Sequence, residues 1–87
     1  MKTLKITVYA DPGHAWGRIK RESLLNLCLA HRVSSYSYQK GKYVYLEEDC
    51  DLPMVCKALE NVGVSVSFVE RHANNRSSIR SHESFRA

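Results

Sequence analysis

The sequence lacks a long hydrophobic run, and this argues against a transmembrane helix. No window of the 87 residues approaches the roughly 18 consecutive apolar residues that a membrane span needs. The first residues alternate polar and apolar side chains, without the unbroken apolar stretch of a signal peptide. We therefore expect a soluble protein of the cytoplasm that has no membrane partner.

Cysteine is scarce, and recognisable catalytic motifs are missing. Cys28, Cys50 and Cys56 are an odd number without a C-x-x-C pair, which argues against a disulfide framework and the usual zinc spacings. No glycine-rich phosphate loop and no G-x-S-x-G motif occurs. Cys50 lies among acidic residues that raise the pKa of a thiol, so it is a poor nucleophile. We expect no catalytic residue, no bound metal and no cofactor.

Length and charge predict one small domain followed by a basic arm. Residues 1–46 carry a formal charge of +6, residues 47–70 carry −5 and residues 71–87 carry +3, within a total of +4. The segment 72–87 is rich in Asn, Ser and Arg, and Ile79 and Phe85 are its large apolar residues. Such a composition offsets little of the entropy lost on ordering. We therefore expect a domain over residues 1–71 and a flexible arm over residues 72–87, which either orders when it binds a partner or is a solvated tail without a role.

Hydrophobic periodicity predicts an α+β fold. Period-two alternation indicates strands at residues 3–10, 15–20, 33–39, 42–47 and 64–68. Helical spacing indicates helices at residues 21–30 and 51–62, which place Leu25 and Cys28, then Cys56 and Val62, on buried stripes. Asp51 is expected to cap the second helix. Apart from the short second strand, this is the β-α-β-β-α-β order of ferredoxin-like folds, an antiparallel sheet with both helices on one face.

Tyrosines cluster in the predicted hairpin. A two-residue loop at positions 40–41 pairs Tyr38 with Tyr43 and Tyr36 with Tyr45, so all four share the face that points away from the helices. Exposed tyrosines occur at protein interfaces and as stacking platforms for unpaired bases, although cross-strand aromatic pairs also simply stabilise sheets. The candidate binding residues on and beside this face are Trp16, Arg18, Tyr36, Tyr38, Lys40, Lys42, Tyr43 and Tyr45.

Two charged segments add further candidates. Glu47, Glu48 and Asp49 form an acidic turn that either engages a basic partner surface or is a solvated turn. The turn lacks the alternate ligand spacing and glycine bend of a calcium loop. In the arm, Arg76 and Arg80 are candidates for contact with a partner.

Three motifs together resemble a family of short proteins encoded by bacteriophages and prophages. They are Asp11-Pro12-Gly13-His14-x-Trp16, Ser34-x-Tyr36-Ser37-Tyr38 and Tyr45-Leu46-Glu47-Glu48-Asp49-Cys50-Asp51. The resemblance implies an accessory phage protein in the cytoplasm of an infected or lysogenic cell. It carries no catalytic residue across. Small accessory phage proteins commonly bind and disable a host or defence component, so the resemblance favours a host or defence protein as the partner.

The favoured hypothesis is a non-enzymatic inhibitor or modulator that binds protein through the tyrosine face and the acidic turn. One alternative is a single-stranded nucleic-acid-binding protein that uses the same face and the arginine-rich arm. A second is a small metal protein or enzyme that uses Asp11, His14 and the acidic turn. An open aromatic sheet face also allows a homodimer.

Overall fold

The computed structural model describes residues 2–73 and 77–86. It is an α+β fold with one six-stranded sheet. The strands are β1 (Lys2–Ala10), β2 (Ala15–Lys20), β3 (Tyr38–Lys40), β4 (Tyr43–Glu47), β5 (Val64–His72) and β6 (Glu83–Ser84). The helices are α1 (Arg21–Asn26) and α2 (Asp51–Asn61), with 3₁₀ helices at Ala30–Arg32 and Ser78–Ser81. None of the helices in these two ranges is long and apolar enough to cross a membrane.

The sheet is mixed, which corrects the expected antiparallel ferredoxin-like arrangement. Its strand order is β5-β1-β2-β4-β3-β6, and β1 pairs with β5 in parallel. The short second strand is central, because β2 lies between β1 and β4 and is antiparallel to both. β4 therefore runs in the direction of β1. The chain then returns through α2 to β5 in that same direction, as a crossover connection between parallel strands does.

Both helices pack on one face of the sheet, as predicted. The buried core brings together Ile6, Ile19, Val44 and Leu46 from the strands with Leu24, Leu52, Val55 and Leu59 from the helices. Gly17 faces α2 at the centre of this layer, and a Cβ atom there would lie 2.6 Å from Leu52 Cδ1. The sheet face opposite the helices is called the open face below.

The predicted hairpin is shifted and shortened in the structure. Tyr38 pairs with Tyr45 and Lys40 pairs with Tyr43, so the loop lies at positions 41–42, where Gly41 has a φ of +59°. Moving the loop by one residue changes each partner by two, which preserves the face on which each side chain lies. Tyr36 is not in the strand, because β3 begins only at Tyr38.

The helices also differ in detail from the expectation. α1 ends at Asn26, and Cys28, with a φ of +56°, is exposed rather than buried. Leu25 and Val62 are exposed as well. α2 ends at the expected place, since Gly63 follows it with a φ of +82°. Its predicted cap is wrong, because no side chain caps α2 and the Asp51 carboxylate binds elsewhere.

The described part of the C-terminal arm lies against the sheet. His72 ends β5, and after residues 77–81 the chain reaches β6, which pairs with β3. The backbone N–H of Phe85 donates to the carbonyl of Ser37 at 2.8 Å. The Phe85 side chain is 4% exposed and joins the core on the helix side. The two large apolar residues of the arm, Ile79 and Phe85, are thus both buried.

Candidate functional site

A cleft of about 380 Å³ opens at one end of the open face. His14 and Trp16 come from the start of β2, Tyr36 and Tyr38 from the segment that leads into β3, and Glu47, Asp49 and Cys50 from the end of β4 and the turn after it; Arg80 of the arm completes the lining. We call this the aromatic cleft.

Contacts between neighbouring rings form the wall of the aromatic cleft, and the one between Trp16 and Tyr38 is edge-on. The ring centroids of Trp16 and Tyr38 lie 6.0 Å apart with planes at 66°, and those of His14 and Trp16 lie 6.2 Å apart. Trp16 is buried, whereas Tyr36 is 71% exposed and stands at the rim. Edge-to-face geometry of this kind favours a fixed arrangement of the rings. The wall is therefore ordered by its own contacts, with one large aromatic side chain left accessible.

Asp11 builds the turn that presents His14 and Trp16. Its Oδ1 accepts the backbone N–H groups of Gly13 and His14, both at 2.9 Å. Its carboxylate also pairs with Arg80, with Nε to Oδ2 at 2.6 Å and Nη2 to Oδ1 at 2.9 Å. The Arg80 guanidinium, and then the N–H of Ser77, hold the pKa of Asp11 far below its usual range. Asp11 is therefore an ionised structural anchor for the arm.

A buried hydrogen-bond network supports Tyr36 and Tyr38. Asp51 Oδ2 accepts the Ser34 N–H at 3.1 Å, the Ser34 hydroxyl at 2.7 Å and the Ser37 hydroxyl at 2.5 Å. The Ser37 oxygen in turn accepts the N–H of Glu47 at 2.9 Å. This explains why Asp51 does not cap α2, since its carboxylate faces the turn before β3. The network fixes the exposed Tyr36 on a rigid backbone.

The acidic turn is divided by the fold. Glu48 and Asp49 are exposed, but Glu47 is only 9% exposed and lines the aromatic cleft. Both oxygens of the Glu47 carboxylate accept the Asp49 N–H, at 2.7 and 3.0 Å. The predicted acidic turn is therefore exposed only at Glu48 and Asp49, because Glu47 is the last residue of β4 and pairs with Trp16.

Cys50 lies beside three carboxylates at this end of the sheet. Desolvation, and then Glu47, Asp51 and Asp49, raise the pKa of the Cys50 thiol. The thiol is therefore protonated at neutral pH, as its acidic neighbours in the sequence indicated.

Within residues 2–73 and 77–86, no three His, Cys, Asp or Glu side chains are grouped to hold a metal ion.

Other side chains pack against the remaining tyrosines of the hairpin. Arg18 lies 4.5 Å from the centroid of the Tyr43 ring, and His82 lies 5.2 Å from that of Tyr45. Tyr43 and Tyr45 are half-buried. Tyr43 and Tyr45 are therefore less accessible than Tyr36, although Tyr45 pairs directly with Tyr38 across the strands.

Some site residues were missed or lie elsewhere. Tyr9 belongs to the open face, where its ring centroid is 6.1 Å from that of Tyr45, and its period-two position in β1 could have indicated this. Lys40 and Lys42 are exposed at the hairpin loop. Arg80 is brought into the aromatic cleft, while Arg76 falls outside the described residues.

Comparison with known proteins returned no match. No family model, no curated protein and no solved structure is detectably similar to this chain. The function is therefore inferred from the geometry of the aromatic cleft and its surroundings.

Proposed function

We propose that the protein acts without catalysis, by binding another protein at the aromatic cleft. The observation that carries this proposal is Tyr36, an exposed aromatic side chain on a turn that a buried hydrogen-bond network holds in place. Large side chains with little conformational entropy to lose supply most of the binding energy at protein interfaces, and Tyr is among the commonest. Asp49, which lines the cleft and is exposed, adds a charged group to its rim.

The proposed partner is a component of a host cell or its defence system. This part of the proposal rests on the resemblance of the three motifs to short phage and prophage proteins. An inhibitor or modulator that acts by occupying a surface needs no catalytic group, and the ionised Asp11 and protonated Cys50 fit such a role.

Single-stranded nucleic acid receives less support as the ligand. Base stacking needs accessible ring faces, but Arg18 lies over Tyr43 and His82 packs against Tyr45. Glu47 and Asp49 in the cleft would also repel a phosphate backbone.

Affinity capture from a host lysate tests the proposal. The wild-type protein and a Leu25→Ala variant, which removes an exposed apolar side chain from α1, should retain the same protein. Tyr36→Ala should lose it, with unchanged circular dichroism and thermal midpoint, because the Tyr36 side chain is largely in solvent. Equal capture by Tyr36→Ala and Leu25→Ala would refute the proposal.

A further inference from the structure

The aromatic cleft carries negative charge that the described residues leave uncompensated. Arg80 is the basic residue in its lining, and Asp11 neutralises it through two hydrogen bonds. Among residues 2–73 and 77–86, neither Glu47 nor Asp49 forms an ion pair. After desolvation, which is the largest cause, Glu47, Asp51 and Asp49 each raise the pKa of the Cys50 thiol. A ligand group that enters the cleft is therefore favoured if it is cationic.

The aromatic wall also favours a cation. The guanidinium carbon of Arg80 lies 5.3 Å from the centroid of the Trp16 ring, within the range of a cation–π contact. The protein thus already places one guanidinium on this wall. Tyr36 and Tyr38 provide further rings that no internal cation within the described residues covers.

Arginine fits this combination better than lysine. A guanidinium is planar, stacks on aromatic rings and presents a fork of donors that matches carboxylates, whereas an ammonium is a strongly hydrated point charge. The lining of the cleft contains both aromatic rings and the carboxylates of Glu47 and Asp49. Its volume of about 380 Å³ is at the lower end of the range for ligand pockets and suits one inserted side chain.

We infer that the aromatic cleft binds an arginine side chain of the partner protein. The guanidinium stacks against the rings of Tyr36 and Tyr38 and donates to the carboxylates of Glu47 and Asp49. This inference rests on the proposed protein-binding function and assigns the chemistry that the partner must present.

Peptide titrations of the intact protein test the inference. The probes are three capped tripeptides, Gly-Arg-Gly, Gly-Lys-Gly and Gly-citrulline-Gly, of which citrulline is the neutral isostere of arginine. Trp16 is the one tryptophan of the sequence, so its fluorescence and its indole NMR signal report on the cleft. We expect the arginine peptide to give a saturable response, the lysine peptide to bind more weakly and the citrulline peptide to bind about tenfold more weakly or worse.

Matched charge variants locate the site. Asp49→Asn and Glu48→Gln each remove one exposed negative charge beside the cleft, but only Asp49 lines it. Asp49→Asn should weaken binding of the arginine peptide several-fold, and Glu48→Gln should leave it nearly unchanged. The inference is overturned if arginine and citrulline peptides respond alike, if neither saturates at millimolar concentration, or if the two variants weaken binding equally.

The result also separates this inference from the proposed function. If lysate capture depends on Tyr36 but is equally strong for Asp49→Asn and Glu48→Gln, protein binding stands and the arginine assignment fails. If capture does not depend on Tyr36, the proposed function itself fails, whatever the peptides show.

Discussion

The two halves of the open face both place charged side chains beside aromatic rings, but the charges have opposite signs. In the basic half, formed by Lys5, Arg18, Lys20 and Tyr43 around a second groove, Arg18 covers the Tyr43 ring. In the aromatic cleft, carboxylates stand beside rings, and the one guanidinium is neutralised by Asp11. A cation meets the first half as a like charge and the second as a complementary site.

Strand register produces this difference. β2 and β4 pair Arg18 with Tyr45 and Lys20 with Tyr43, but they pair Trp16 with Glu47. Directly paired side chains on one face are close enough to interact. The same two strands therefore place a cation beside a phenol at one end and a carboxylate beside an indole at the other. Which tyrosines are available to a partner depends on neighbours across the strands rather than on the tyrosines alone.

The largest expected effect is a loss of stability on removal of Phe85, the buried residue that anchors the C-terminal arm to the sheet. The arm contacts the aromatic cleft through Arg80 and the rest of the open face through His82, and it is held by the buried Phe85. Phe85→Ala should lower the free energy of unfolding by about 3 kcal/mol, because it empties a core site. Phe68→Ala, where the ring is 52% exposed, is the control and should cost about 1 kcal/mol or less. Equal losses in urea denaturation would show that the arm does not anchor the sheet.

A smaller effect should be confined to the aromatic cleft. Ser37→Ala removes a fully buried hydroxyl that donates to Asp51 and accepts from the N–H of Glu47. Leaving the Asp51 carboxylate and the Glu47 N–H without these partners should lower the free energy of unfolding by about 1–3 kcal/mol. NMR shifts should change around Tyr36 and Tyr38 and stay constant around Tyr43, whereas Ser35→Ala, at an exposed position, should change neither stability nor shifts appreciably. Shift changes spread equally over both halves would contradict the separation.

The dependence of stability on acid pH tests the role of Asp11, which holds the arm beside the aromatic cleft through Arg80. Arg80 and the N–H of Ser77 lower the pKa of Asp11 in the folded state below its ordinary value of 3.8. Its stabilising contribution is therefore fully present above about pH 4 and is lost as the pH falls below the unfolded value towards the folded one. Asp11→Asn should remove this part of the acid dependence in thermal denaturation. A variant that keeps the wild-type slope below pH 4 would exclude Asp11 as its source.

The smallest effect is expected near neutral pH at His82, which packs against Tyr45 on the open face outside the aromatic cleft. Burial, and then repulsion from Lys40, lower the pKa of His82 in the folded state below its ordinary value of 6.5. As the pH falls below 6.5, the unfolded chain binds the proton first, so stability decreases. His82→Gln should reduce the dependence of the thermal midpoint on pH below about pH 6.5. An unchanged pH slope in that variant would assign the dependence to another histidine.

Local patterns in the sequence were sufficient for most elements but not for their assembly. The alternation in β1 and β2, the stripe of α2 and the stop at Gly63 predicted those elements, because each is set by neighbours along the chain. The mixed sheet was missed because the central position of β2 depends on contacts with β4, which no local pattern encodes.

The sequence predicted many residues of the candidate site, but it did not predict which of them lie together. The alternation of Val44 and Leu46 with Tyr43 and Tyr45 correctly indicated which face the tyrosines occupy. The hydrogen bonds from Ser34 and Ser37 to Asp51 join residues 14 to 17 positions apart, and those from Arg80 to Asp11 join residues 69 apart. Such pairings arise only when the chain has folded, so a carboxylate that looks like a helix cap proved to be the support of Tyr36.

Site-specific photocrosslinking tests most directly whether the aromatic cleft, and not the basic half, is the binding surface. A p-benzoylphenylalanine is placed at position 36 in one variant and at position 43 in the other, and both are irradiated in host lysate. The account predicts a covalent adduct with one protein from position 36 and none from position 43. An adduct from position 43 alone, or nucleic acid as the crosslinked species, would contradict it.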